Sequence, residues 1–315
     1  MRIFTFLCFL LGVLQASLQD EVRTKVIKVN PAADEVVFQA QGLQVGESGW
    51  VKIQVKNFAA IIKGLTITAV KGDQVTAKYH VFEVLKQKYL PDFTSIPKVG
   101  DEVVFHNLNG KAFLVTPTLE TYEAIKDAHQ EVKFLSPDLL TGYLLAYGGH
   151  DPTKKFFHQA CDTYAVGLLY IVNENALDVL DCQSFAILQS EKMDTSSIKE
   201  TKFPFYSRID EIKTGTFANL FGSKKSKYYF PYFTNLVHPE RDYQTMMVAV
   251  RKEMEAKEKI KQEEEKKKRA QEEWQEKEEK ERKKQQEKEE KERKKQEERL
   301  KKEQREGPKS RDAAS

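Results

Sequence analysis

The chain has 315 residues, with 51 Lys+Arg against 48 Asp+Glu and a formal net charge of +3. Arg251 to Glu306 holds 23 of the basic and 20 of the acidic residues, so the remainder carries 28 of each and is neutral. So small a surplus, confined to one end, excludes a nucleic-acid binder built on a concentrated basic face, and the length allows one or two domains.

The opening "MRIFTFLCFLLGVLQAS" has one Arg, an apolar run from Ile3 to Leu14 and a small residue at Ala16. It predicts a secretory signal peptide over 1–16, with an apolar stretch short for a membrane span. An uncleaved anchor is the alternative, and it is the only membrane contact expected. Cleavage would remove Cys8 and leave Cys161 and Cys182. Two cysteines in an oxidising compartment read first as one disulfide, whose loop closure contributes about 3 kcal/mol. Two buried free thiols are the other reading. His158 lies three residues before Cys161 and invites zinc, yet no Cys or His at ligand spacing accompanies Cys182. No metal and no cofactor are therefore expected.

Residues 17–110 predict a β-rich domain. "WVKIQV" sets Val51, Ile53 and Val55 on one face and Lys52 and Gln54 on the other, the alternation of a half-buried strand. "LTITAV", "VTAKYHVFEV" and "EVVFHN" follow across "KGD" and "PKVGD" turns. "QVGESG" at 44–49 and "KVGDEV" at 98–103 each read as a Gly turn entering a strand. Short strands at this spacing predict a small barrel or sandwich.

Residues 111–200 predict a small α/β domain. "KAFLVTP" reads as a strand, and helices are expected to start at Thr116-Pro117, Ser136-Pro137 and Asp151-Pro152. In each, an oxygen-bearing cap precedes a proline that loses nothing at the first helical position. Gly148-Gly149 and Gly167 are expected to end the second and third helices. "LLYIV" and "LDVLDCQSFAILQS", joined through Asn173-Glu174-Asn175, read as a hairpin. Residues 201–239 are aromatic and interrupted by prolines, which predicts an ordered strap without regular structure. Its rival is an exposed adhesive patch of Tyr228, Tyr229, Phe230, Tyr232 and Phe233, although aromatics of this size usually pack inside.

A helix is expected over 240–306. Tyr243, Met246, Met247, Val250 and Met254 recur at spacings of three and four, a stripe that can dock on the body. Beyond Ile260 only Trp274 and Leu300 break the charge, and "QEKEEKERKKQ" occurs twice in succession. The repeat offers no apolar seam for a coiled coil. Glu276–Lys280, Glu278–Arg282, Glu279–Lys283, Glu287–Lys291, Glu289–Arg293 and Glu290–Lys294 are Glu-before-basic pairs one turn apart. That orientation supports an isolated helix, its residue types are good helix formers, and eleven residues make three turns. The prediction is a lone, salt-sensitive helix about 100 Å long, ending at Gly307-Pro308, with a disordered tail over 307–315. The whole is α+β.

"FLSPDLLTGYLLAYGGHDPTKKFFHQACDTYAVGLLYIV" (134–172), "LDVLDCQSFAIL" and "FPFYSRID" resemble the amino-terminal domain of the bacterial plasminogen-binding surface proteins. The resemblance covers most of 20–240, with an export signal before it and a Lys/Glu tail after it. It implies a non-catalytic protein in the periplasm or at the cell surface of a Gram-negative bacterium, capturing host plasminogen through lysines. Kringle domains take a Lys ammonium with a nearby carboxylate, and aromatic walls add a cation–π contribution. The chain ends in Ser315, so a carboxyl-terminal lysine is absent. Capture would fall to internal lysines such as Lys280, Lys283, Lys284, Lys291, Lys294 and Lys295.

The alternative is structural, a periplasmic spacer with an unassigned binding role for the body. An enzyme ranks below both. His80, His106, His129, His150, His158 and His238 fall into no HExxH or His-x-x-x-His spacing, and no nucleophile elbow or phosphate loop is visible.

Overall fold

A computed structural model describes residues 17–305 apart from 88, 90–93, 149–150, 199, 210–228 and 242. The expected signal peptide, the tail over 307–315, Gly149 and Tyr228 lie outside the described residues. The chain divides into two compact units, with the break between Tyr243 and Gln244.

The first unit holds two sheets. Seven antiparallel strands form the larger: β1 (Val22–Lys25), β2 (Lys28–Asn30), β3 (Glu35–Gln39), β4 (Ser48–Val55), β5 (Phe58–Lys71), β6 (Gln74–His80) and β7 (Glu102–Phe105). Their order is β1-β7-β4-β5-β6-β3-β2. β1 and β2, adjacent in the chain, therefore sit at opposite ends of the sheet. The segment between them serves both edges: Val26 N–H donates to Asp101 O at 2.9 Å and Ile27 N–H to Val37 O at 2.8 Å. The sheet is thus a curled half-barrel. Its curl comes from β5, whose register slips past Ile62 opposite β4 and past Thr68 opposite β6. Each extra residue bends the strand and increases its twist. Phe38, Val51, Leu65, Ile67 and Phe105 are buried inside the curl. Sequence reading began this strand at Leu65 and missed "FAAIIKG". That stretch starts exposed at Phe58, so its alternation is weak.

The smaller sheet is mixed: β8 (Lys111–Val115), β9 (Lys133–Phe134), β10 (Leu168–Asn173), β11 (Ala176–Asp181) and β12 (Ile187–Lys192), in the order β12-β11-β10-β8-β9. β8 runs parallel to β9 and β10. Both faces are covered, which is why β10 is buried along its whole length. Phe113, Val115, Leu169 and Ile171 face one core; Ala112, Leu114, Tyr170 and Val172 face the other. The expected hairpin is present, with Asn173 opposite Ala176. "LDVLDCQSFAILQS" is, however, two strands, because Asp181 turns the chain and carries Cys182 into the turn.

The helices are α1 (Leu119–Ala128), α2 (Pro137–Tyr143, extended by a π-helical turn to Gly148), α3 (Lys154–Tyr164), α4 (Tyr229–Val237) and α5 (Tyr243–Arg305). Ser136 caps α2 as the sequence predicts, with Pro137 in its first turn. The other two starts fall two residues later than expected. Thr118 and Thr153 are the caps, accepting from Thr121 N–H and Phe156 N–H, while Pro117 and Pro152 precede them. α3 ends at Ala165, itself left-handed at φ 50°, and Gly167 has a different task. A Cβ there would collide with Asn109 and Leu108.

The strap reading needs correction as well. Tyr229–Val237 is helical, because Pro231 falls in the first turn, where its missing N–H costs nothing. Tyr229 and Phe233 are fully buried, with Phe230 and Tyr232 packed against the same core. Tyr229 OH donates to Val115 O at 2.9 Å and Tyr232 OH to Pro152 O at 2.8 Å. These aromatics are structural core rather than an adhesive patch. Phe205 joins them, and Arg208 clamps Asp138 of α2 through its backbone N–H and guanidinium.

Cys161 of α3 and Cys182 are joined by a disulfide with Cα atoms 5.9 Å apart and 21 residues of separation. For a loop of that length, replacing both with Ser is expected to lower stability by about 3 kcal/mol, read as a drop in denaturation midpoint of the full chain.

The second unit is α5, whose 63 residues make a helix about 95 Å long. Every side chain from 262 to 302 is exposed. The side chains of Tyr243, Met246, Met247, Val250 and Met254 lie outside the described residues. With no core over this span, helix propensity and local charge pairs hold it. A peptide spanning 240–306 is expected to give a helical circular-dichroism spectrum in cool, low-salt buffer and to lose helix as salt is added. A random-coil spectrum in that buffer would contradict the account.

Candidate functional site

Two features can carry chemistry, one in each unit. In the first unit, the sheets meet where β4 begins. "QVGESG" supplies the contact: Gly46, at φ 95°, lies against Ala186, and Ser48 reaches Asp181 at the end of β11. Asp181 is 3% exposed. Ser48 N–H and Oγ donate to it at 2.8 and 2.7 Å, and the Gln183 and Ser184 amides at 3.0 and 2.8 Å. Burial raises this carboxyl, against the pull of the Ser184 and Ser48 donors.

Beside it, His106 and Glu47 form a buried pair with Nε2 and Oε1 3.2 Å apart and both side chains 1% exposed. His106 Nδ1 donates to Asp20 O at 2.9 Å. Burial works to lower the His106 pKa, but Glu47 and the Asp20 carbonyl outweigh it, and the net direction is up. A histidine whose folded pKa is raised stabilises fully below its unfolded value, and the contribution is lost as pH rises through the folded value. The melting temperature should therefore fall as pH climbs from about 6.5, and His106→Gln should flatten that slope.

A cavity of about 230 Å³ opens next to this joint, walled by Trp50, Leu65, His80, Phe82, His158 and Gln183 among others. Trp50 and Phe82 meet edge to face at 5.7 Å. At its rim, Glu83, His158 and Asp162 bring one ligand atom each to within 4.8 Å of one another. His158 Nδ1 lies 2.8 Å from Gln183 O, and Nε2 lies 3.4 Å from Asp162 Oδ2. Burial raises the Asp162 carboxyl; His158 and Gln183 oppose this and Glu83 adds to it. Sequence reading stopped at His158 and Cys161. Asp162, one helical turn beyond His158, was visible as a pattern. Glu83, on the segment leaving β6, carries no local signal at all.

The second feature is the lysine array of α5. At 100° per residue, Lys280, Lys283, Lys284, Lys291, Lys294 and Lys295 fall within an arc of about 120°, because an eleven-residue repeat returns almost to the same face. Lys280 pairs with Glu276 at 2.6 Å, Lys283 with Glu279 at 2.8 Å and Lys294 with Glu290 at 2.7 Å. The three lysine side chains are about 70% exposed. Hydrogen bonds from these lysines hold the three carboxyls below the usual range. Lys284, Lys291 and Lys295 lie exposed on the same arc.

No helix among the described residues is long and apolar enough to cross a membrane. The described parts are thus a curled half-barrel and a mixed α/β layer in the first unit and a charged helix in the second. The family described as "Plasminogen-binding protein pgbA N-terminal" matches residues 21–237. The chain belongs to that family. Two relatives named Plasminogen-binding protein PgbA, from Helicobacter pylori strains 26695 and J99, are each 38% identical over 226 residues, or 72% of this chain. The match covers 49% and 50% of their own lengths, so the chain spans about half the length of the curated relatives it matches. The family match ends at Val237, the last residue of α4, and leaves α5 outside it.

Proposed function

We propose that this chain is an exported, non-catalytic protein of the cell envelope or surface that binds host plasminogen, with the lysines of α5 as the recognition elements. The observation that carries the reading is the arc of lysines, each repeat offering an ammonium beside a carboxylate one turn away, in a chain whose family is named for plasminogen binding. A kringle pocket that takes an ammonium together with a carboxylate finds both on this face. The Lys–Glu pairs are solvent-exposed, so exchanging one for a kringle contact costs little. Each contact is weak, and the eleven-residue repeat sets successive lysine groups about 16 Å apart along the helix. Several sites on one rod then raise the overall affinity by keeping a partner's second binding module close.

A second reading makes α5 a spacer, supported by its 63 residues and by the uninterrupted exposure of 262–302. Capture of immobilised plasminogen separates the two. The full chain should bind, a chain ending near Pro239 should lose most binding, and 6-aminohexanoate should abolish it. Changing the six arc lysines together to Gln should weaken capture about tenfold or more, since each lost site reduces the effective concentration of the next. Equal capture by the long and short chains would move recognition into the body and leave α5 as the spacer. Protease applied to intact cells should cleave α5 if the surface location is right.

A further inference from the structure

We propose that Glu83, His158 and Asp162 form a binding site for a divalent transition-metal ion of the zinc class, at the rim of the cavity in the first unit. The site is independent of α5 and of the plasminogen reading. Three observations meet there.

The first is donor geometry. Bonds of about 2.0–2.2 Å at a tetrahedral angle place two ligand atoms about 3.4 Å apart. His158 Nε2 and Asp162 Oδ2 are separated by 3.4 Å, with all three ligand atoms inside 4.8 Å. Both residues project from α3 one turn apart and so share a face. Leu85 N–H donates to Asp162 O at 3.0 Å, which docks the segment carrying Glu83 onto the end of α3. Glu83 is exposed and held by a loose ion pair to Lys86 at 4.0 Å, which it can exchange to close the remaining distance.

The second is the histidine tautomer. The Gln183 carbonyl can only accept, so His158 Nδ1 carries the proton. In the neutral ring this leaves the Nε2 lone pair facing a carboxylate oxygen, two acceptors with nothing between them. Fixing one ring nitrogen by a backbone carbonyl is the usual support for a histidine that ligates through the other.

The third is an unsatisfied group. Asp162 Oδ1 is buried with no hydrogen bond of full geometry, the Gln183 side-chain amide lying beside it as a looser donor. A buried carboxylate in that condition is costly, and a cation would remove the cost.

One imidazole and two carboxylates form a mixed N/O set that suits zinc-class ions better than calcium or magnesium, which take oxygen throughout. Glu83 and His158 both line the cavity, so a fourth position would open into it for water or an anionic ligand group. The metal would also fasten the segment after β6 to α3.

The test uses full-length protein stripped with chelator and dialysed. Zinc is titrated by calorimetry, and cobalt(II) by its visible absorption, which reports tetrahedral coordination. One equivalent per chain with a tetrahedral cobalt spectrum is expected. His158→Gln, Asp162→Asn and Glu83→Gln should each weaken binding at least by the tenfold that loss of an outer-shell partner costs. Glu83→Gln changes an exposed side chain, so it keeps the test valid even where Asp162→Asn disturbs folding. Absence of tight zinc binding overturns the proposal, and the His158–Asp162 contact is then an ordinary histidine–carboxylate contact. Cobalt binding that survives both His158→Gln and Glu83→Gln overturns it too, by placing the ion elsewhere, for example on α5 glutamates.

Discussion

Asp181 is the point on which the first unit turns. A carboxylate 3% exposed must find donors for nearly all its lone pairs, and it finds them in both sheets: two from Ser48 at the start of β4 and two from the turn that follows β11. Those bonds set where the half-barrel meets the mixed sheet. They also shape the turn that holds Cys182 opposite α3 and, through the same α3, the position of His158 against the Gln183 carbonyl. The cavity lies beside this joint, where "QVGESG" meets the turn after β11, and Trp50 and Phe82 help to wall it.

The second unit follows different physics. From 262 to 302 α5 buries nothing, so its stability is spread evenly along the chain as propensity and neighbouring charge pairs. Each such pair is solvated and weak, which would suit the lysine exchange proposed for this surface. The body, by contrast, concentrates its stability in cores around Phe113, Phe157, Phe233 and Leu65.

The family match and the lysine array occupy different parts of the chain. Residues 21–237 carry the family's character and hold both sheets and α1 to α4, whereas α5 follows the last matched residue. In this chain the matched stretch holds the joint between the sheets, the cavity beside it and the Glu83, His158 and Asp162 cluster. The charged helix lies outside the matched stretch, so the recognition proposed for it rests on its own residues. A metal at the rim of the cavity would give the matched stretch a ligand-binding capacity separate from that of the rod.

Local chemistry was readable from the residues alone. The strand alternation around Val51, the cap at Ser136, the β10–β11 hairpin and the helical nature of 243–305 all rest on contacts within a few residues, so their signals are written in consecutive letters. The reading failed where a distant partner decided. Tyr229 and Phe233 form a helix because a core waits for them against β10, and Pro231, the proline inside that stretch, sits in its first turn. Thr118 and Thr153 displaced the expected caps because capping depends on where the helix axis must point once it packs. The joining of β1 and β2 to opposite edges, the four bonds to Asp181 and the approach of Glu83 to His158 and Asp162 bring together residues up to 133 positions apart. Periodicity and propensity describe a chain's preferences over one or two turns. Only folding into two sheets could choose which distant side chains would meet.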